Sequence, residues 1–380
     1  MAGKKPTFLI VALWQALLAA ICCAKEAQAV LPEGEAPLDP KPLMAKVRER
    51  VAVDKFRFAV LGDTKHAKTF PALLKYLDEV VKPDFVLSTG DMVVIGGGKA
   101  GLTSWKRLAT ESGAEFRKRP WWPVIGNHEL LGGTAVKHAA DEDDDDEHKG
   151  VNPAEIETID RFREFYNLER EYYSFEFRNS YFIALPYPQP KDESKKWLEN
   201  ELKKAAAAKK HIFVFNHMPF YTVGKKLPTF VPNTETTITK LFDEYSVCAV
   251  FSGHDHIYYR TIRKGVTYVI SAGGGATLYP LSRMKEALPE DVYYGGDPVS
   301  FAPQASATKD KTATKDKPAA STQPAPKKKY LLHNGATGTP DKFTEQPSQY
   351  MVVVDVEGTS AKMTCVTSAG EQWDEVKLTK

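Results

Sequence analysis

The chain has 380 residues, 42% apolar and 26% charged, with 25 Gly and 25 Pro, which excludes collagen-like, coiled-coil and wholly disordered chains. That length allows one large domain or two ordinary ones, with enough chain to bury a core without a disulfide framework. The formal charge of +2 falls to zero once residues 1–29, carrying Lys4, Lys5 and Lys25 against Glu26, are set aside, so net charge indicates neither nucleic acid nor an anionic membrane.

Residues 1–29 read as a secretory signal peptide. Lys4 and Lys5 precede an apolar run from Phe8 to Cys23, and Ala27-Gln28-Ala29 offers a small-residue cleavage site. The run is shorter than the roughly 20 residues that span a bilayer. Cleavage after Ala29, a secreted or periplasmic location and no stable membrane span in the mature chain are therefore expected. Residues 30–50 form an N-terminal lead. A main domain over 51–285 follows, then a low-complexity insertion or linker over 286–345, and a C-terminal β-hairpin over 346–380 that completes the domain.

From Phe56 onward, short runs rich in Val, Ile and Phe alternate with longer helical patterns, the signature of an α/β domain. The spacing predicts strands at 56–61, 85–89, 123–125, 181–185, 212–216, 249–252 and 266–271, and helices at 69–81, 156–166, 194–208 and 237–245. Between the third strand and the second helix lie seven consecutive acidic residues, Asp141 to Glu147, flanked by His138 and His148. Such a run repels itself and reads as a solvated loop. Residues 300–329 repeat Ala-Thr-Lys-Asp-Lys and carry seven Lys against two Asp, a tether that cannot bury a core. Past it, 350–356 and 361–366 alternate apolar and polar residues around Glu357-Gly358-Thr359, a hairpin pattern. Cys248 and Cys365 lie in strand-like surroundings, as core thiols or as one disulfide. Trp105, Trp121, Trp122 and Trp197 read as packing residues.

Residues able to bind metals fall just after the apolar runs: Gly62-Asp63, Gly90-Asp91, Gly126-Asn127-His128-Glu129, His217 and Gly253-His254-Asp255-His256. Carboxyl ends of parallel strands share one edge of a sheet, so these residues would converge in space. Carboxylate and amide oxygens mixed with imidazole nitrogens suit Zn, Fe, Mn, Ni or Co better than Ca, and no thiolate stands nearby.

The segments GDTKH (62–66), GDMVV (90–94), GNHE (126–129), NHMPF (216–220) and GHDHIYYR (253–260) resemble those of the calcineurin-like metallophosphoesterase superfamily. The motif pattern is most similar to that of secreted phosphoesterases of the purple-acid-phosphatase kind. The resemblance implies a four-layer α-β-β-α sandwich of two mixed β-sheets flanked by helices. It also implies two divalent or trivalent metal ions (Fe, Zn, Mn or similar) about 3.5 to 4 Å apart. Asp63, Asp91 and His256 would hold the first ion and Asp91, Asn127, His217 and His254 the second, with Asp91 bridging. A hydroxide held between them would attack phosphorus, and His128 would act near the leaving group as a general acid or electrostatic stabiliser.

Two positions depart from the family pattern. Lys65 stands where many relatives carry the first-motif histidine; His66, one residue late, either reaches the first metal through another loop shape or faces solvent. Val94 stands where purple acid phosphatases carry a tyrosine, so no tyrosinate colour is expected. Arg260 is a candidate substrate contact or an internal ion-pair partner. The function expected is a secreted dinuclear phosphoesterase acting on a small phosphorylated substrate, most simply a phosphomonoester, with no nucleic acid partner. A phosphodiesterase, a nucleotidase or a noncatalytic metal-binding envelope protein are the alternatives.

Overall fold

The computed structural model describes residues 30–65, 68–132, 153–208, 210–223, 235–278, 292–294 and 349–379. Residues 1–29, read above as a signal peptide, His66, the acidic run 141–147 and the Lys-rich segment 300–329 lie outside the described residues. In chain order the elements are α1 (Pro40–Arg50), β1 (Lys55–Leu61), α2 (Phe70–Tyr76, continued by one π-helical turn, Leu77–Val81), β2 (Phe85–Ser88), α3 (Gly98–Phe116), β3 (Trp121–Pro123), α4 (Asn127–Leu130), α5 (Pro153–Tyr166), β4 (Tyr173–Phe177), β5 (Ser180–Ala184), α6 (Asp192–Ala207), β6 (His211–Phe215), α7 (Thr237–Glu244), β7 (Ala249–Ser252), β8 (Tyr258–Arg263), β9 (Val266–Ser271), β10 (Val292–Tyr294), β11 (Tyr350–Glu357), β12 (Ser360–Thr367) and β13 (Gln372–Leu378).

Two mixed sheets result, one ordered β13-β12-β11-β1-β2-β3 and the other β10-β8-β9-β7-β6-β5-β4. In the first, β1, β2 and β3 run parallel, while β11 returns antiparallel beside β1, with Phe58 opposite Val354. In the second, β5, β6, β7 and β9 are parallel. Strands buried on both faces are continuous apolar runs here, as parallel sheets require: every residue of β2, β6 and β7 is buried.

The sheets pack face to face through aromatic side chains. The Phe58 ring lies 5.3 Å from Phe182, 5.1 Å from Phe213 and 6.1 Å from Phe251, mostly edge-on, the arrangement the ring quadrupoles favour. Helices α2, α3 and α5 cover the outer face of the first sheet through Leu73, Trp105, Leu108 and Phe162. Helices α6 and α7 cover the second through Leu198, Leu202, Ile238 and Phe242. The four-layer sandwich expected from the sequence is present.

The differences are local. The third strand falls at Trp121–Pro123 rather than 123–125. Helices α1, α3 and α4 and strands β4, β8, β10 and β13 are additions; β13 extends the predicted C-terminal hairpin to three strands. Helix α1 starts where a start signal exists: the Asp39 carboxylate accepts from the Lys41 N–H at 2.9 Å and Pro40 occupies the first turn. Cys248 and Cys365 are both buried and not joined in a disulfide, which resolves the two readings in favour of core thiols. Trp105, Trp121 and Trp122 are buried, and Trp197 packs on Tyr172 at 4.9 Å. Among the described residues no helix is long and apolar enough to cross a membrane.

Candidate metal centre

The carboxyl ends of the parallel strands of both sheets meet at one place. From the first sheet come Asp63 after β1, Asp91 after β2 and Asn127 opening α4 after β3; from the second come His217 after β6 and His254 and His256 after β7. Asp63, Asp91 and His254 have φ of 55°, 55° and 72°, the left-handed region that side chains rarely adopt. Strain of this kind persists where surrounding contacts impose it. Here the Asp63 N–H is held by the Gly90 carbonyl at 2.9 Å, and both Asp63 carboxylate oxygens accept from the His254 N–H at 3.1 Å. The glycine of the third motif is required by space, since a Cβ on Gly126 would lie 2.1 Å from Asp91 Oδ1.

The imidazole tautomers follow from main-chain contacts. His217 Nδ1 donates to the Thr89 carbonyl at 2.8 Å, so its Nε2 presents a lone pair. That lone pair faces Asn127 Oδ1 at 2.8 Å and Asp91 Oδ1 at 3.4 Å, with His254 Nδ1 at 3.3 Å. His254 Nδ1 also lies 3.1 Å from Asn127 Oδ1. His256 Nδ1 donates to the Thr277 carbonyl at 3.0 Å, turning its Nε2 lone pair toward Asp63 Oδ1 at 3.5 Å. Asp63, Asp91 and His217 each offer a ligand atom, all within 4.8 Å of one another. Electron pairs brought this close inside a protein repel unless a cation stands between them. The donor set therefore fits metal binding, and its nitrogen and oxygen composition fits a transition metal.

Titration behaviour reflects the same crowding. Burial, and then the charge on Asp91, pushes the Asp63 carboxyl up to about 8. Burial also works to raise Asp91, but His217, His128 and Lys65 around it hold that carboxyl well below the usual range. His254 is driven well below the ordinary histidine value by burial and then by His217.

His128 sits at the rim. Its N–H donates to Asp91 Oδ1 at 3.0 Å and its Nδ1 to the Val94 carbonyl at 2.6 Å, so Nε2 points toward Asp91 Oδ2, 3.8 Å away. Burial lowers its pKa to about 4, with Asp91 opposing. Val94 thus serves through its main-chain carbonyl. Arg260 is engaged elsewhere: its Nε and Nη2 donate to Asp374 at 2.5 and 3.2 Å, the ion pair of the two alternatives considered.

Sequence reasoning gave Glu129 no role beyond its motif. Its buried carboxylate accepts from the N–H groups of Asp91 (2.8 Å), Met92 (2.7 Å), Val93 (3.3 Å) and Gly126 (2.7 Å), tying the second motif to the third. The glycine-rich turn after β9 closes the other side, through Gly274 N–H to the Gly62 carbonyl at 2.9 Å and Ala276 N–H to the Asp63 carbonyl at 2.8 Å. Buried Asp255, between the two histidines, accepts from the Thr222 hydroxyl.

A two-sheet sandwich with a metal-type donor set at the joined strand ends defines a class, the metal-dependent hydrolases built on an α-β-β-α frame. Residues 56–258 match the family model described as calcineurin-like phosphoesterase, and the chain belongs to that family of metal-dependent phosphoester hydrolases. It is 23% identical over 243 residues to human tartrate-resistant acid phosphatase type 5, covering 56% of this chain and 67% of the relative. To the mouse protein of the same name it is 25% identical over 251 residues, 56% of this chain and 68% of the relative. A purple acid phosphatase from yellow lupin seeds superposes with a TM-score of 0.52 at 14% identity, over 86% of this chain. The chain spans 54% of the length of that lupin protein.

Proposed function

We propose that the protein is a secreted, dinuclear metal-dependent phosphoesterase that hydrolyses phosphomonoesters. Residues 51–285 and 346–380 would make up one catalytic unit. The observation that carries this reading is the meeting of the His217 Nε2 lone pair with Asn127 Oδ1 at 2.8 Å beside Asp91 Oδ1 at 3.4 Å, a cluster that needs a cation. The similarity to acid phosphatases favours monoesters within the family's range.

Asp91, Asn127, His217 and His254 would hold one ion and Asp63, His256 and Asp91 the other. Bound ions of this kind lower the pKa of water toward neutrality and neutralise phosphate charge. The chain's own residues do the rest. The Thr89 and Thr277 carbonyls fix the two imidazoles in the tautomer that presents a lone pair at Nε2, and a preset ligand geometry avoids reorganisation during reaction. His128, whose Nδ1–H is held by the Val94 carbonyl, has its Nε2 at the rim; a proton taken up there together with an arriving phosphate dianion would make it an imidazolium beside the leaving oxygen, able to donate to it or to stabilise charge there.

The test is hydrolysis of p-nitrophenyl phosphate beside bis-p-nitrophenyl phosphate, by mature protein reconstituted with Mn, Zn, Ni or Fe, with Asp91→Ala and His254→Ala as controls. Metal-dependent turnover lost in both variants, with the monoester preferred, is the expected result. No turnover with any metal, and at most one equivalent bound, would leave the protein a noncatalytic metal binder.

A further inference from the structure

We propose that Lys65 is a substrate-binding residue, its ammonium taking an oxygen of the phosphoryl group on the open side of the centre. This deepens the phosphoesterase reading and rests on it. The starting observation is an ammonium beside the centre that is no metal ligand: Lys65 Nζ lies 4.0 Å from Asp91 Oδ2. Among the described residues, no other Lys or Arg is paired with a carboxylate of the centre.

The two oxygens of Asp91 face different ways. Oδ1 is turned inward, to the His128 N–H and to His217 Nε2. Oδ2 is flanked by Lys65 Nζ and by His128 Nε2 at 3.8 Å. The side chains of Lys65 and His128 are each 17% exposed, whereas those of Asp63, His217 and His256 are exposed by 4% or less. Lysine and histidine therefore stand side by side at the mouth, and a phosphate ester entering from solvent meets both before it reaches the inner donors.

The backbone holds the lysine in place. Its N–H donates to the Asp91 carbonyl at 2.9 Å and its φ is +40°, so the side chain leaves the main chain directly over the Asp91 loop. At 4.0 Å the contact with Oδ2 is too long for a hydrogen bond, and the three N–H donors are not spent on it. An ammonium is a compact point charge on a flexible stem, suited to follow a phosphate oxygen. Its attraction grows with the charge on phosphorus, so a monoester dianion should depend on it more than a diester monoanion.

The experiment compares Lys65→Met and Lys65→Arg with wild type, all metal-loaded. Metal content is measured first, then inorganic phosphate binding by titration calorimetry, then KM and kcat for p-nitrophenyl phosphate and its bis ester. A charge-assisted hydrogen bond predicts that Lys65→Met weakens phosphate binding roughly ten- to a hundredfold at unchanged metal content. KM for the monoester should rise in parallel, the diester should change less, and Lys65→Arg should recover part of the loss.

Unchanged phosphate affinity in Lys65→Met overturns the inference. So does a gain of bound metal in that variant, which would show the ammonium standing in for a cation. Phosphate binding is read without turnover, so the two readings fail separately. A wild type that binds phosphate through Lys65 but hydrolyses neither ester sinks the hydrolase assignment alone. One that hydrolyses the monoester with Lys65→Met behaving identically sinks the lysine assignment alone.

Discussion

His128 and Glu129 are neighbours with separable duties. His128 contacts Asp91 through its main-chain N–H, which an alanine keeps, and its imidazole lies at the rim to one side of the inner donors, so His128→Ala should lower kcat by about 10²- to 10⁴-fold while the protein keeps most of its metal. Steady-state kinetics beside elemental analysis decides this, and equal losses of both would make His128 structural. Glu129 has no such rim position: its carboxylate absorbs four main-chain N–H groups. Glu129→Gln replaces one acceptor oxygen by an NH2 group aimed at donors. It should cost about 3 kcal/mol, the scale of stranding buried donors, and metal affinity should fall with it because Asp91 loses its anchor; denaturant titration and metal analysis check the two. The motifs made Asp63, Asp91, Asn127, His217, His254 and His256 legible, because glycine followed by a ligand after an apolar run is a side-chain pattern. The partners that orient them, the carbonyls of Thr89, Val94 and Thr277 and the N–H groups held by Glu129, are main chain. Every residue type carries those groups, so the sequence could not single them out.

At the scale of elements, what escaped the sequence were segments whose composition masks their role. Helix α3 contains Gly98, Gly101 and Gly113, poor helix formers, yet Trp105, Leu108, Ala109, Ser112 and Phe116 line its buried face. Gly101 is there for docking, since a Cβ on it would lie 2.1 Å from the Gly96 carbonyl oxygen. Strand β13 reads as polar because Asp374, Glu375 and Lys377 interrupt its apolar residues, but Trp373 and Leu378 are buried. Asp374 reaches from this strand of the first sheet to Tyr258 Oη at 2.7 Å and to Arg260 on β8 of the second. Both members of the ion pair are largely shielded from solvent. Asp374→Ala would strand the guanidinium between the sheets and should destabilise the protein by about 2 to 4 kcal/mol. Asp374→Asn, which keeps an acceptor, should lose less. Equilibrium unfolding of the two variants measures the difference. An unchanged midpoint in Asp374→Ala would mean that Arg260 finds water or another acceptor.

Over the whole molecule, the candidate metal centre joins two halves that, among the described residues, also meet through apolar and aromatic contacts and a few polar bridges. Asp63, Asp91 and Asn127 ride on the first sheet and His217, His254 and His256 on the second, so a bound ion would couple the sheets at their loop edge as the Phe58 cluster couples them inside. A ligand that binds only the folded state stabilises it by about 2.7 kcal/mol at a hundred times its dissociation constant. Chelation should therefore lower the melting temperature by several degrees, given that about 1 kcal/mol shifts a domain of 150 to 250 residues by roughly 2–4 °C. The loss should be absent in Asp91→Ala, which removes the ligand shared by both proposed sites. Hydrogen exchange locates the effect: with ions removed, amides of 61–65, 89–94, 126–129, 216–218 and 253–256 should exchange faster, while the central residues of β1 and β6 stay protected. Faster exchange on one sheet's loops alone would mean that ions are held by that sheet and do not couple the halves. Equal loss of protection throughout would mean instead that the aromatic core depends on bound metal, contrary to its burial between the sheets.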